Sequence, residues 1–223
     1  MIAILFFLGR GGAMKQENLR SVALVNRKGG VGKTTLAVIL AEQALKNGET
    51  TYAVDLDPQK NFTDALSIFL DQGKNANYKK NLHVYAPDDD IEIEDQGGIL
   101  IVDCPPAMED MTLVAIEIAE TILVPVMSDV FSVLNLEFVF NLAEKCGKTK
   151  DNLSLVRVGF KQMGLTLPPQ MSQMITESDY KVLADVPMTK MVPINIASGR
   201  LWSTGLTAKH RKVFVDLYKK IME

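Results

Sequence analysis

The chain has few of the residues from which metal centres and disulfide frameworks are built. Two cysteines, Cys104 and Cys146, and two isolated histidines, His83 and His210, occur in 223 residues. No Cys-x-x-Cys pair occurs, so neither a disulfide scaffold nor a zinc site is expected, and a reduced, cytoplasmic setting fits better. Long hydrophobic runs are also missing. The apolar opening, Met1 to Leu8, falls well short of the roughly 20 residues that cross a bilayer, and no basic flank marks it as a secretory signal. There is no internal repeat and no low-complexity tract. What remains is a chain that is 47% hydrophobic, the size of one domain with an ample core.

The most informative stretch is Val25 to Leu36, VNRKGGVGKTTL. A strand-length apolar run, Val22 to Val25, precedes it. From Lys33 to Asn47 the pattern is helical: Leu36, Leu40 and Ala44 form one stripe, with Ala37, Ala41 and Leu45 beside it, and Asn47-Gly48 forms a stop. Strand, glycine loop and helix together make a phosphate-binding loop. The glycines let successive backbone N–H groups face an anion, and the helix N-terminus adds positive potential. Lys33 is expected on the terminal phosphates and the Thr34 hydroxyl on Mg²⁺. Arg27 stands where the common loop motif has its first glycine, so the pattern is x-K-G-G-x-G-K-[ST]. One lysine suffices to grip a phosphate. Lys28 is therefore either a solvated surface lysine or has a second task.

Two further strand ends carry carboxylates. In YAVDLDPQKNFTD an apolar run ends in Asp55-Leu56-Asp57 before Pro58. Two carboxylates two apart on a strand point the same way, and at the carboxyl end of a parallel strand they face the ligand crevice. The alternative is a strand-end turn that uses Asp-Pro for its geometry. In GGILIVDCPPAMED, Ile99 to Val102 is a continuous apolar run of the kind buried on both faces. It ends in Asp103, placed as a Walker B aspartate that holds Mg²⁺ directly or through water. Cys104-Pro105-Pro106 then turns the chain beneath the γ-phosphate.

With Lys28 to Thr35, Asp55-Leu56-Asp57-Pro58-Gln59-Lys60-Asn61 and Asp103-Cys104-Pro105-Pro106 in this order, the sequence resembles the ParA/MinD-type deviant Walker A ATPases. The similarity is closest to the short partition branch. It runs from Ser21 onward, strongly to about Ser128 and more weakly after it. The resemblance implies an α/β, P-loop NTPase-type, mostly parallel sheet with helices on both faces in a single domain. It implies a site for ATP and Mg²⁺ in which Lys28, Gly29, Gly30, Val31, Gly32, Lys33, Thr34 and Thr35 hold the nucleotide. Thr34, Asp55 and Asp103 would lie at or near the metal. Asp57 would position the attacking water.

The resemblance also gives Lys28 its task. In this family the first lysine crosses a dimer interface to the phosphates held by the other subunit, so an ATP-bound homodimer is implied. No arginine finger is identifiable. Slow intrinsic hydrolysis, stimulated by a ParB-like or other cargo adaptor, is the expectation. The cysteine pattern sets aside the iron–sulfur relatives on this scaffold, and Lys28 sets the dimerising ATPases apart from amidoligases and dethiobiotin synthetase-like synthases.

Charge is unevenly placed. The whole chain is −3, but residues 145–223 carry 13 Lys and Arg against 6 Asp and Glu, which leaves the first 144 residues at −10. A basic C-terminal third suggests an anionic partner. The last helix, roughly Thr207 to Met222, puts Val213, Phe214, Leu217, Tyr218 and Ile221 on one face. Lys209, Lys212, Lys219 and Lys220 lie largely away from it. It reads as a docked helix with a solvated basic face or as a surface for non-specific DNA. Arg200, Lys209, Arg211 and Lys212 are the DNA candidates, chosen by charge and region. A membrane-seeking tail of the MinD kind is disfavoured, because the apolar face is needed by the core.

Residues 1–20 are set apart as an appendage and 21–223 as the ATPase domain. The appendage leaves no room for the helix-turn-helix domain of larger ParA relatives. Remaining expectations are strands at Leu82–Tyr85, Ile122–Val126 and Leu153–Val158, and helices at Met111–Ala119 and Phe131–Lys145. The helix from Phe131 is expected to bury Val133, Leu136, Phe140 and Ala143. "PDDDIEIEDQGG" is expected as a solvated connection, and "VGFKQMGLTLPPQ" lacks a recognisable adenine-contacting pattern.

Overall fold

The computed structural model describes residues 19–72, 75–91, 93, 97–106, 109–127, 129–160 and 180–223. Seven strands form one sheet: β1 (Leu19–Leu24), β2 (Thr51–Asp55), β3 (Leu82–Tyr85), β4 (Gly98–Asp103), β5 (Thr121–Met127), β6 (Leu153–Val158) and β7 (Lys181–Val186). Their order is β3-β2-β4-β1-β5-β6-β7 and every pairing is parallel. Among the described residues the α-helices are α1 (Lys33–Lys46), α2 (Asn61–Asp71), α3 (Glu109–Ile118), α4 (Val130–Lys145), α5 (Met191–Ala197) and α6 (Ala208–Met222). The expected α/β fold with one parallel sheet and helices on both faces is what forms. β1 starts at Leu19, two residues before the boundary read from the sequence; Met1–Ala13 lies outside the described residues.

Both faces of the sheet are covered, which is why the central strands are apolar throughout. On one face α1, α2, α5 and α6 pack over Leu24, Ala53, Ile99 and Ile101. On the other, the shell that includes Leu136 and Val139 of α4 and Ala115 and Ile116 of α3 packs over Ala23, Val54, Leu100 and Val102. α1 shows more than its predicted stripe: every residue from Leu36 to Leu45 is buried, because α2 and α6 close over the side that faces away from the sheet. Among the described side chains of α4, Leu136, Val139, Leu142 and Ala143 are buried and Phe140 is only partly covered; the Val133 side chain lies outside those described. Among the described residues no helix is long and apolar enough to cross a membrane.

Two local details place the site. Gly98 has φ +112°, and a Cβ there would lie 2.1 Å from the Thr50 carbonyl oxygen, so β4 can enter the sheet only with glycine. Pro125 sits in central β5, where a missing N–H normally breaks the ladder. It is tolerated because β1 pairs with β5 only as far as Leu24↔Leu123. Pro125 faces the side that β1 has already left, and its carbonyl accepts a hydrogen bond from Asn26 Nδ2 at 2.8 Å.

Candidate nucleotide-binding site

The sheet order fixes where a ligand can sit. α1 leads from β1 toward β2 on one side, and α3 leads from β4 to β5 on the other. The carboxyl ends of neighbouring β1 and β4 therefore flank a switch-point crevice. Residues 25–32 emerge from β1 here and Asp103 ends β4. Gly30 at φ 74° and Gly32 at φ 97° adopt the left-handed conformation that curls the loop, and Gly32 is the N-terminal flanking residue of α1. Among the described residues nothing lies within 4 Å of a Cβ built at Gly29, Gly30 or Gly32, so dihedral angle and not crowding selects glycine at the latter two. Val31 is buried and anchors the loop; Thr35 is half-buried at the start of α1.

Lys33 is 7% exposed and its Nζ donates to the Lys28 carbonyl at 3.3 Å. Burial lowers its pKa, with the Asp103 charge acting the other way. Thr34 Oγ1 donates to Asp103 Oδ2 at 2.6 Å, joining α1 to β4. Asp103 Oδ1 is buried and makes no hydrogen bond among the described residues. Burial is the main cause that pushes the Asp103 carboxyl up to about 7, and nearby Asp55 adds to it. A buried carboxylate oxygen without a partner is costly. A divalent cation held by the Asp103 carboxylate and the Thr34 hydroxyl would satisfy it, so these residues fit Mg²⁺. Cys104 is fully enclosed, and burial raises its thiol far above the range in which it ionises.

The two carboxylates of the second motif have separate jobs. β2 ends at Asp55, so Asp57 lies in the following turn, and the same-face argument for a pair within one strand does not apply. Asp55 is fully buried beside Asp103 in register. Its Oδ1 accepts from Asp57 N, and its Oδ2 from Phe62 N and Thr63 N, each at 3.0 Å. Both oxygens are thus engaged in capping α2 and shaping its approach. Asp57 is partly exposed and accepts from Gln59 N at 3.0 Å.

Lys28 is unlike Lys33. Its backbone N–H donates to Asn26 Oδ1 at 2.8 Å, which fixes the start of the loop against β5. Its side chain turns outward and pairs with Asp129 Oδ1 at 2.7 Å, both side chains 32% exposed. Arg27 beside it stacks over the Phe138 ring of α4, 4.9 Å from the centroid.

Known proteins share this fold and part of this sequence. A family model described as AAA domain matches residues 19–96. The chromosome-partitioning ATPase Soj of Thermus thermophilus is 29% identical over 147 residues, 53% of this chain and 59% of that protein. The sporulation initiation inhibitor protein Soj of Bacillus subtilis is 23% identical over 90% of this chain and 97% of its own length. Apo McdA of Cyanothece superposes with TM-score 0.72 at 17% identity, covering 92% of this chain and all of that one. A plasmid partition protein of Borrelia burgdorferi bound to AMPPNP superposes with TM-score 0.70 at 18% identity, covering 91% and 97%.

The chain is similar in sequence to Soj and ParA partitioning ATPases and shares its fold with ParA/MinD-type structures. The Thermus relative is matched over less than two thirds of its length. The fold brings Lys28, Lys33, Thr34, Asp55, Asp57 and Asp103 to one edge of the sheet. Arg200 lies after α5, and Lys209, Arg211 and Lys212 lie on the first turns of α6; all four are exposed, and Lys212 pairs with Asp216 at 3.1 Å. Sequence reasoning missed Asn26 and Asp129. Asp129 carried a usable signal, since a carboxylate just past a central strand is what also marked Asp57 and Asp103. The VGFKQMGLTLPPQ reading falls on residues that, from 161 on, lie outside those described.

Proposed function

We propose that this chain is a positioning ATPase of the partition kind, in which ATP and Mg²⁺ loading drives homodimerisation. Lys33 and the loop N–H groups hold the triphosphate. Thr34 and Asp103 hold the Mg²⁺, which supplies charge neutralisation on the phosphates. Asp55, whose Oδ2 caps α2 and whose Oδ1 accepts from Asp57 N, would lie near the metal and shape its surroundings. Asp57 orients the water that displaces ADP from the γ-phosphoryl group. Lys28 serves the partner's nucleotide. The observation that carries this reading is the contrast between the two lysines. Lys33 is buried in the loop, whereas Lys28 stands at its rim with its ammonium in a partly exposed ion pair.

The paired form is proposed to bind DNA non-specifically through Arg200, Lys209, Arg211 and Lys212, with dimerisation doubling the basic surface. A cargo-bound, ParB-like adaptor would stimulate hydrolysis and release the dimer. The protein would be cytoplasmic, and nucleoid-associated while ATP-bound. The relatives' names point the same way, since partition and chromosome partitioning recur in them. Retention on DNA beads with a slowly hydrolysed ATP analogue and Mg²⁺ tests the reading. Wild type should bind and then lose affinity steeply between about 50 and 200 mM salt. Lys33→Ala should not bind. Nucleotide-independent retention, a flat salt response, or sedimentation with liposomes in place of DNA would contradict it, the last favouring a membrane-surface positioning ATPase.

A further inference from the structure

We propose that Asp129 is a cis latch on Lys28, an inference that rests on the trans role of that lysine argued above. The latch holds the ammonium against its own subunit until a partner's triphosphate competes for it.

Three features of the structure support a latch. First, the backbone under Lys28 is fixed: Asn26 accepts the Lys28 N–H at 2.8 Å and donates to the Pro125 carbonyl at 2.8 Å. Only the side chain has to swing between Asp129 and a phosphate. Second, the Lys28–Asp129 pair is close at 2.7 Å, yet both side chains are about one-third exposed. A pair of that exposure is exchangeable, whereas a desolvated one would lock. Third, Asp129 lies two residues past the end of β5, on the edge of the sheet that carries the loop. A triphosphate bears more charge than one carboxylate and offers several acceptors to the same ammonium. It therefore wins when a loaded partner is present, and Asp129 wins when none is. The latch also keeps Lys28 off the phosphates of its own loop, where Lys33 already donates to the Lys28 carbonyl at 3.3 Å. Asp129 would thus set the nucleotide and protein concentrations at which pairing begins.

The test uses the full chain with Asp129→Asn, Lys28→Ala and the double variant, each checked for an unchanged melting temperature. Light scattering with a slowly hydrolysed ATP analogue and Mg²⁺ measures dimerisation. Acetylation footprinting of the nucleotide-free protein measures Lys28 reactivity. If Asp129 is a latch, Asp129→Asn tightens the dimer by about two- to fivefold per protomer, the range of an exposed ion pair, and raises Lys28 acetylation severalfold. The double variant gains nothing over Lys28→Ala. Unchanged or weaker pairing in Asp129→Asn, with wild type pairing through Lys28, would overturn the latch; so would an equal gain in the double variant. Identical masses for wild type and Lys28→Ala would instead overturn the trans role. The acetylation measurement needs no dimer: unchanged Lys28 reactivity in Asp129→Asn refutes the latch in that case too.

Discussion

Single residues in this fold do work that their type alone does not announce, and Glu42 is the plainest case. It lies on α1, is 1% exposed, and its Oε2 accepts from the backbone N–H of Trp202 at 3.1 Å. Lys46 one turn on is 4.0 Å away and lies over the Trp202 ring. Burial pushes the Glu42 carboxyl from an ordinary 4.5 to about 7, against the opposing pull of the Trp202 N–H and Lys46. The folded protein thus holds this proton more tightly than the unfolded chain. The resulting stability is complete below about 4.5 and is lost as pH rises through about 7. Over that window the residue accounts for a fall of up to about 3 kcal/mol. Glu42→Gln keeps an acceptor for Trp202 and removes the charge. Urea melts should show a higher midpoint than wild type at pH 8 and little change at pH 5. Parallel pH profiles for the two proteins would contradict the assignment.

At the scale of elements, backbone geometry decides. Gly98→Ala should cost at least ~2 kcal/mol in urea unfolding, because it forces φ +112° on alanine and drives its Cβ into the Thr50 carbonyl. Gly29→Ala, which has neither a left-handed φ nor a neighbour within 4 Å among the described residues, should unfold at the wild-type midpoint. Elements with a strong pattern were legible in the sequence. Leu82–Tyr85 and Leu153–Val158 fall where expected, and β4 and β5 extend only a residue beyond their apolar runs. β7 was missed because only Leu183 and Val186 of its six residues are buried, so its alternation is faint. α5 was missed because Pro193 reads as a breaker, although in the first turn of a helix its lost N–H has no helical partner to lose. α2 was hidden because its start is capped by Asp55, six residues before its first residue, and not by an adjacent side chain. The candidate site was legible where loop chemistry is local, from Lys28 to Thr35 and at Asp103. Lys28–Asp129 joins residues 101 positions apart, and no local pattern reports such a pairing.

The whole molecule gathers its chemistry by topology. A parallel sheet sends every carboxyl end to one edge, and the change of direction between β1 and β4 opens that edge for a phosphate. Under the proposed function the two lysines divide the work, with Lys33 retained inside the loop and Lys28 offered outward. The most direct test of that division is the mass in solution, by light scattering, of the 24.6 kDa chain with Mg²⁺ and a slowly hydrolysed ATP analogue. Wild type should double its mass on adding analogue, and Lys28→Ala should bind the analogue yet stay at the single-chain mass. A loaded wild type that remains single, or a Lys28→Ala that doubles as readily, would contradict the account.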